Sequence, residues 1–227
     1  MRPLRGIIFD FDGTILDTET PEYEAWQTIC AEHGVTLPIE IWATGVGIGV
    51  AENPFDPYAY LSEHADHAID ADAVRERRRI LFAELLSRQH PRSGILSLLA
   101  DATERGLQIG LASSSGHEWV DNHLARLDLL SFFPVRLCAD DVTHTKPHPE
   151  LYLRCLSVLG LTPNEAFALE DSPNGIRAAK AAGLFCVAYP NPLTKLLPGI
   201  EYADMIIEDL GDESLSRFSE AISQREE

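Results

Sequence analysis

The chain has 227 residues, of which 45% are hydrophobic, enough to bury a sizeable core in one large domain or two small ones. Its formal net charge of -18 argues against binding to nucleic acid and to an anionic membrane surface, since both are held by clustered Lys and Arg. The same field repels a phosphorylated metabolite, so a phosphate site in this chain requires cations of its own.

The four cysteines do not form a Cys-x-x-Cys pair, so their spacing predicts neither a zinc site nor a disulfide framework. Single cysteines are typical of small core residues in a reducing compartment. The first residues turn acidic too soon for a signal peptide, and no apolar run reaches the length of about 18 residues that a transmembrane helix needs. A cytoplasmic protein is therefore expected.

The first predicted element is a buried strand of a parallel sheet, from Leu4 to Phe9, which ends directly before Asp10. The sequence then becomes helical. One helix is expected to start at Thr20 as its cap and to end at Gly34, and a second covers Ala71 to Gln89. A stretch of this length is too long for a structureless loop, so residues 18–91 predict an inserted helical cap domain.

From Gly94 onward, strands and helices alternate, which predicts a doubly wound parallel sheet of the α/β class. Residues 1–17 and 92–227 are expected to form this Rossmann-like core. The polar, acidic tail after Asp209 is expected to fray. The predicted strands are Leu107–Ala112, Val135–Ala139, Ala166–Leu169, Leu184–Tyr189 and Asp204–Ile207, and the predicted helices are Ile95–Arg105, Glu118–Leu127, Pro149–Gly160 and Asn174–Ala182.

Ligands of open parallel sheets bind outside the carboxyl ends of the strands, so the residues at those ends are the candidates for chemistry. The first strand is followed by Asp10 and Asp12, which can both face the site if the chain stays extended. A turn or a helix cap explains one aspartate easily, but it explains Asp10 less well because an apolar strand precedes it directly.

Hydroxyl groups follow the second strand, at Ser113, Ser114 and Ser115, where side chains and backbone N–H groups can hold a phosphate oxygen. Taken alone, such a cluster is more often a helix cap. Lys146 lies in a proline-rich loop after the third strand and can supply the local cation that the acidic field requires, although an isolated lysine is usually a solvated surface residue.

Adjacent carboxylates, Glu170 and Asp171, follow the fourth strand and repel each other unless a cation lies between them. Together with Asp10 and Asp12 they supply the hard oxygen ligands that suit Mg²⁺. The sequence therefore predicts a magnesium site at this edge of the sheet.

These four segments, in this order and spacing, resemble the motifs of the haloacid dehalogenase superfamily. Asp10-x-Asp12-Gly13-Thr14 is similar to its first motif, Ser113 to its second, Lys146 to its third, and Glu170-Asp171 to its fourth. The continuation Ile15-Leu16-Asp17-Thr18-Glu19 is similar to the subgroup that carries a helical cap, which includes β-phosphoglucomutases and small-molecule phosphatases.

The resemblance implies a role for each motif residue. Asp10 is the expected nucleophile, which forms an aspartyl-phosphate, and Asp12 the expected acid and base. Ser113, with Ser114 beside it, and Lys146 are expected to hold the phosphoryl oxygens. Mg²⁺ is expected to bind Asp10, the backbone carbonyl of Asp12 and Asp171, with Glu170 in support, and Glu19 is expected to touch the substrate rather than only start a helix.

The expected reaction is hydrolysis of a small phosphomonoester, such as a sugar phosphate. In β-phosphoglucomutases the specificity loop of the cap carries an Arg that binds the distal phosphate, but Trp42 to Val50, the matching stretch here, has no cation. Those mutases also carry a Lys soon after the serine of the second motif, where this chain has Ser115-Gly116-His117. Both departures argue against a phosphosugar mutase, which is kept as the alternative to a phosphatase.

The arginine run, the histidines and the tryptophans give less specific predictions. The run Arg75, Arg77, Arg78 and Arg79 is expected to form a solvated face, with contact to substrate as the alternative. The histidines show no convincing metal-ligand spacing, and Trp26, Trp42 and Trp119 are expected to be packing residues.

Two rival classes of protein remain. The first is a serine hydrolase with Ser114 at a nucleophile elbow, although Ala112 stands where the pattern has Gly, and His148 comes early for a triad. The second is a receiver-like phosphoacceptor domain. The helical insertion argues against it, because a lid is useful to an enzyme that must exclude bulk water during turnover.

Overall fold

The computed structural model describes residues 4–43 and 55–224, and its centre is a parallel sheet of six strands in the order β3-β2-β1-β4-β5-β6. This sheet confirms the predicted doubly wound α/β fold. The strands are β1 (Gly6–Phe9), β2 (Gln108–Ala112), β3 (Val135–Leu137), β4 (Ala166–Glu170), β5 (Phe185–Ala188) and β6 (Met205–Ile206).

Strand β1 lies in the middle of the sheet, and its register fixes the position of the next residue. Phe9 pairs with Leu111 of β2 on one side and with Leu169 of β4 on the other. The chain order reverses at this point, which is where open α/β sheets bind ligands. Asp10 therefore emerges between the ends of β2 and β4.

Helices cover both faces of the sheet, which explains why β1 is a continuous apolar run and not an alternating one. The helices of the described residues are α1 (Glu19–Glu32), α2 (Ile39–Ala43), α3 (Pro57–His64), α4 (Ala71–Ser87), α5 (Ile95–Glu104), α6 (His117–Arg126), α7 (Glu150–Leu159), α8 (Pro173–Ala181) and α9 (Leu215–Gln224). Ile7 and Phe9 belong to one apolar cluster with α5, α6 and α9, whereas Ile8 belongs to a second cluster with α7 and α8.

Helices α1 to α4 form the cap, which follows β1 as the sequence predicts. The cap has its own apolar cluster, which includes Trp26 and Ile29 of α1, Leu61 of α3 and Val74 of α4. Leu193, from the loop after β5, completes this cluster. The division of the chain at residues 17/18 and 91/92 stays a prediction.

Two local predictions are wrong. The first helix begins at Glu19, because the Asp17 carboxylate accepts hydrogen bonds from the backbone N–H and the hydroxyl of Thr20, so Thr20 is not the cap. The tail after Asp209 does not fray as a whole, since α9 buries Leu215 and Phe218 against the core.

All four cysteines are buried and free, as expected for small core residues. Within the described residues, helices with the length and apolar character needed to cross a bilayer are absent.

Candidate active site

The centre of the candidate site is a buried ion-pair network around Lys146. The Lys146 ammonium donates to Asp10 Oδ1 at 2.5 Å and to Glu170 Oε1 at 2.7 Å. Glu170 is fully buried, and its Oε1 also accepts a hydrogen bond from the hydroxyl of Tyr152 at 2.6 Å. The fold thus brings together three residues that the sequence assigns to separate motifs.

The protonation of Lys146 is set by its two carboxylate partners. Burial opposes the charged form, but the negative charges of Asp10 and Glu170 outweigh it and raise the pKa of the ammonium. Lys146 therefore supplies a local cation in a strongly acidic protein, as the sequence requires of any phosphate site.

Asp171 lies beside Asp10 and is held from two sides. Its Oδ2 accepts from the side-chain amide of Asn191 at 2.9 Å, and its Oδ1 from the hydroxyl of Thr14 at 3.4 Å. Gly13 has φ +85°, and a Cβ atom there would overlap the Asp171 carboxylate. The first motif therefore needs glycine both for its backbone conformation and for the space beside Asp171.

Arg92 fixes the two loops that carry these residues. Its guanidinium donates to the backbone carbonyls of Gly13 at 2.5 Å, Tyr189 at 2.7 Å and Pro190 at 3.0 Å. The guanidinium also lies over the Tyr189 ring, 3.6 Å from its centroid. The loops after β1 and β5 are therefore tied together where the chain returns from the cap.

The carboxylates of Asp10, Glu170 and Asp171 fit a hard divalent cation. One oxygen of each lies within 4.8 Å of the others, and all three residues are buried. Asp10 Oδ2 is buried without a hydrogen-bond partner, which is costly unless a ligand satisfies it. An all-oxygen donor set of this kind suits Mg²⁺.

The charges of the protein alone are poorly balanced in this cluster. Burial raises the pKa of Asp10 to about 7, although Lys146 opposes the shift. Burial and the neighbouring carboxylates of Asp10 and Glu170 raise the pKa of Asp171 well above its usual value. A bound cation would offset the repulsion between these carboxylates and stabilise their ionised forms.

Asp12 is held by donors from the segment that follows β2. The Ser115 hydroxyl donates to Asp12 Oδ2 at 2.6 Å, and the indole N–H of Trp119 donates to Oδ1 at 2.8 Å. Ser113 is buried, with its hydroxyl 3.5 Å from Asp12 Oδ2, whereas Ser114 is exposed. Ser113 and Ser115 thus face Asp12.

The cap reaches the site through aromatic contacts. Phe82 of α4 stacks on Trp119 with the ring planes 5° apart and the centroids 6.2 Å apart. Glu19, at the start of α1, is half-buried, and burial together with the charge of Asp12 raises its pKa to about 7. The cap therefore places one aromatic ring and one carboxyl group on the Asp12 side of the site.

The arginine run on α4 is paired with cap carboxylates, which agrees with a solvated face. The pairs are Arg75 with Asp72, Arg77 with Glu32, Arg78 with Glu22 and Arg79 with Glu76. Of the expected specificity loop from Trp42 to Val50, residues 44–50 lie outside the described residues.

The sequence named Ser115 only as one of three hydroxyl groups that can hold a phosphate oxygen, whereas the structure places it on Asp12. Sequence reasoning did not assign Trp119, Tyr152, Arg92 or Asn191 to the site. Trp26 and Trp42 belong to the cap cluster, as predicted, but Trp119 binds Asp12. Its place six residues after Ser113, on the helix that leaves the site, was the available signal. Tyr152 likewise follows Lys146 by six residues, on the helix that leaves the third motif. Arg92 and Asn191 lie far from the motifs in sequence, and only the fold brings them close.

Comparisons with known proteins show which family this chain is similar to. Residues 7–189 match the family model described as haloacid dehalogenase-like hydrolase. The chain is 42% identical over 213 residues to the Bacillus subtilis protein named "Putative phosphatase YhcW", with 94% of this chain and 95% of that protein covered. It is 31% identical to the fructose-1-phosphate phosphatase YqaB of Escherichia coli, over 80% of this chain and 94% of that protein.

A similar fold occurs in the β-phosphoglucomutase of Clostridium difficile. The TM-score is 0.70 at 23% sequence identity, with 98% of each chain covered. At this identity the likeness shows the shared fold alone, with a helical cap on a parallel core.

Proposed function

Because the chain belongs to the haloacid dehalogenase-like hydrolase family, we propose that it is a Mg²⁺-dependent phosphatase of small phosphomonoesters that acts through an aspartyl-phosphate on Asp10. The relatives named as phosphatases support phosphoric monoester hydrolysis as the class of reaction. The observation that carries the proposal is Asp10 itself, a buried carboxylate with Lys146 on one oxygen and no partner on the other.

In the first half of the reaction, an oxygen of Asp10 attacks the phosphorus atom. The bond between phosphorus and the leaving oxygen breaks, and Asp12 gives its proton to that oxygen. Lys146 and the backbone and hydroxyl donors at Ser113 and Ser114 hold the phosphoryl oxygens, which carry the charge in the transition state. The products of this half are the free alcohol and the aspartyl-phosphate.

In the second half, water attacks the phosphorus atom of the aspartyl-phosphate. Asp12, now ionised, takes a proton from that water, and Asp10 is released as a carboxylate with free phosphate. Ser115 and Trp119 direct Asp12, because each donates a hydrogen bond to one of its two oxygens.

Asp10, Asp171 and the backbone carbonyl of Asp12 are the proposed ligands of Mg²⁺. When bound, the ion neutralises charge, so that an anionic carboxylate can meet an anionic phosphate. Glu170 supports the site from behind, because its oxygens already accept hydrogen bonds from Lys146, Tyr152 and the backbone N–H of Asp171.

Hydrolysis is favoured over the mutase reaction by the charges around the site. A mutase must hold a second phosphate while the first is transferred. The four arginines of α4 are paired with acidic residues of the cap. Among the cap residues that the structure describes, the charged group near Asp12 is the acid Glu19. A substrate with hydroxyl groups, such as a sugar phosphate, fits an acidic cap side better than a bisphosphate does.

The test is a screen of metabolite phosphates with Mg²⁺, in which released phosphate is measured for the wild type and for Asp10→Asn. We expect rapid release by the wild type and a loss of at least about a thousandfold in Asp10→Asn, because an amide cannot serve as the nucleophile. The thermal unfolding midpoint of the variant is measured in parallel to show that it is folded.

Near-normal turnover by Asp10→Asn would contradict the proposed nucleophile. Turnover that survives EDTA would contradict the metal and would reopen the serine hydrolase alternative. Conversion of β-glucose 1-phosphate to glucose 6-phosphate that is faster than phosphate release would favour the mutase. Stable phosphorylation of the wild type without turnover would favour a phosphoacceptor domain.

A further inference from the structure

A second group of side chains that could bind a metal lies next to the segment of residues 113–115, where α6 begins and β3 ends. His117, Cys138 and Asp141 each offer one ligand atom, and these atoms all lie within 4.8 Å of one another. The His117 Nε2–H donates to Asp141 Oδ2 at 2.8 Å. This His117 cluster supplies nitrogen, sulfur and oxygen donors, and the proposed phosphatase reaction uses none of them.

The imidazole of His117 has a carboxylate near each of its ring nitrogens. Its Nδ1 atom lies 3.8 Å from Asp121 Oδ2. The other oxygen of Asp121 accepts a hydrogen bond from Arg136 Nε at 2.7 Å, which fixes the carboxylate. At 3.8 Å the Nδ1 contact is longer than a hydrogen bond, but it places a carboxylate on the side of the second nitrogen, where metal-ligating histidines commonly have one.

The His117 cluster is open on one side and closed on the other. Cys138 is fully buried and forms the floor, whereas the side chains of His117 and Asp141 are 36% and 32% exposed. An ion can therefore reach the sulfur from solvent when the hydrogen bond between His117 and Asp141 opens. The exposed side leaves room for a water molecule as a fourth ligand, as in zinc sites with three protein ligands.

The donor set decides which ion binds. Mg²⁺ takes oxygen ligands in a near-octahedral arrangement and has little affinity for sulfur, whereas Zn²⁺ binds imidazole, thiolate and carboxylate in a tetrahedron. We propose that His117, Cys138 and Asp141 bind one Zn²⁺ ion, at a site separate from the carboxylates that bind Mg²⁺.

Binding at the His117 cluster has a defined proton balance. Zn²⁺ binds the thiolate form of cysteine, so the ion displaces the proton of the Cys138 thiol. The proton on His117 Nε2 passes to Nδ1, towards Asp121, which frees Nε2 for the ion. One thiol proton is therefore released for each ion, and His117 Nε2 and Asp141 Oδ2 move apart to about 3.3 Å, the spacing set by tetrahedral zinc bonds.

A rival cluster, formed by His144, His148 and Glu150, is less suitable. Its two histidines are exposed, and both Glu150 oxygens accept hydrogen bonds from backbone N–H groups, those of Thr143 and His144. Asp141 accepts such a bond on Oδ2, from the Cys138 N–H at 2.8 Å, but the sulfur beside it is buried. The His117 cluster is also invisible to spacing rules, because its ligands come from a helix start and from the turn after a neighbouring strand.

The experiment uses Co²⁺ as a coloured substitute for Zn²⁺ in the full chain, with excess Mg²⁺ present to occupy the carboxylate site. A thiolate bound to Co²⁺ gives an intense charge-transfer band in the near ultraviolet, which oxygen and nitrogen ligands do not give. We expect this band in the wild type and in Cys30→Ser, which alters a buried thiol of the cap. We expect Cys138→Ser to lose it, and one equivalent of Zn²⁺ to abolish it in the wild type.

A second variant separates ligand loss from misfolding. His117→Gln changes a partly exposed residue, and we expect at least about a tenfold weaker Zn²⁺ affinity, measured by calorimetry, with an unchanged thermal unfolding midpoint. A wild type without the band, a band that persists in Cys138→Ser, or unchanged affinity in His117→Gln would overturn the proposal. Because the measurements are light absorption and heat of binding, the test of the Zn²⁺ site is independent of the phosphatase assay.

Discussion

The indole N–H of Trp119 donates a hydrogen bond to Asp12 Oδ1 at 2.8 Å, while the face of the same indole stacks on Phe82 of the cap. One side chain therefore contacts both the proposed acid and base and the cap helix that lies over the site. Hydrogen bonds to charged groups are stronger than those between neutral groups, so this contact has a measurable effect on where the carboxylate points.

We predict that Trp119→Phe lowers kcat/KM by about tenfold for alkyl phosphates, the equivalent of one hydrogen bond to a charged group. Phenylalanine retains the stack on Phe82 but cannot donate to Asp12. An alkoxide needs a proton as it leaves and p-nitrophenolate does not, so p-nitrophenyl phosphate should be affected less. The measurement is the ratio of kcat/KM values for the two substrates.

The matched control for Trp119→Phe is Trp26→Phe, which removes an indole donor to Glu22 within the cap. Its ratio of alkyl to aryl kcat/KM should equal that of the wild type. If Trp119→Phe lowers kcat/KM equally for both substrates, the role of Trp119 is packing, and other groups position Asp12.

We predict that Gly13→Ala abolishes turnover and weakens Mg²⁺ binding, because the added Cβ would overlap the carboxylate of Asp171. Gly34→Ala is the control, since Gly34 has a similar positive φ of +75° but no atom within 4 Å of an added Cβ. Both variants carry backbone strain of about 1–2 kcal/mol in the free energy of unfolding. Equal activity in the two variants would show that the space beside Asp171 is unimportant.

We predict that Tyr152→Phe lowers the free energy of unfolding by about 1–3 kcal/mol, because it removes a donor from the buried Glu170 carboxylate. Lys146 shares the same oxygen of Glu170, so kcat should fall as well. Urea denaturation and steady-state kinetics measure the two effects. Tyr202→Phe, at an exposed tyrosine, should change neither quantity.

We predict that the metal-free protein loses stability as pH rises from about 4.5 to about 7, and that Glu19 is one cause. Burial raises the folded-state pKa of Glu19 above the unfolded-state value, so the folded protein binds more protons in this interval. The stabilisation is complete below the unfolded-state pKa and disappears as pH passes the folded-state pKa.

Glu19→Gln should therefore show a shallower decline than the wild type when urea denaturation is measured in EDTA across this pH range. Glu24→Gln, at an exposed position of the same helix, should keep the wild-type slope. Identical slopes in wild type and Glu19→Gln would remove Glu19 as a source of the pH dependence.

The sequence predicted the features of the site that depend on strand ends. The apolar run before Asp10 identifies a central strand, and the parallel sheet then brings Asp171 to the same edge. It could not predict contacts such as that between Tyr152 and Glu170, because the tyrosine lies on a covering helix and its partner depends on packing. The spacing of Leu215, Phe218 and Ile222 at three to four residues was a helix signal in the tail that the polar composition concealed.

Leu193 packs into the apolar cluster of the cap, although it follows β5 of the core, and the backbone N–H of Leu193 donates to Asn191, the same residue that holds Asp171. A chimera that exchanges only the inserted helices for those of a relative would leave a foreign surface against this leucine. The mismatch would then be transmitted through Asn191 to the proposed metal ligand. Transplanting substrate preference in this protein therefore requires moving the segment after β5 together with the helices it completes.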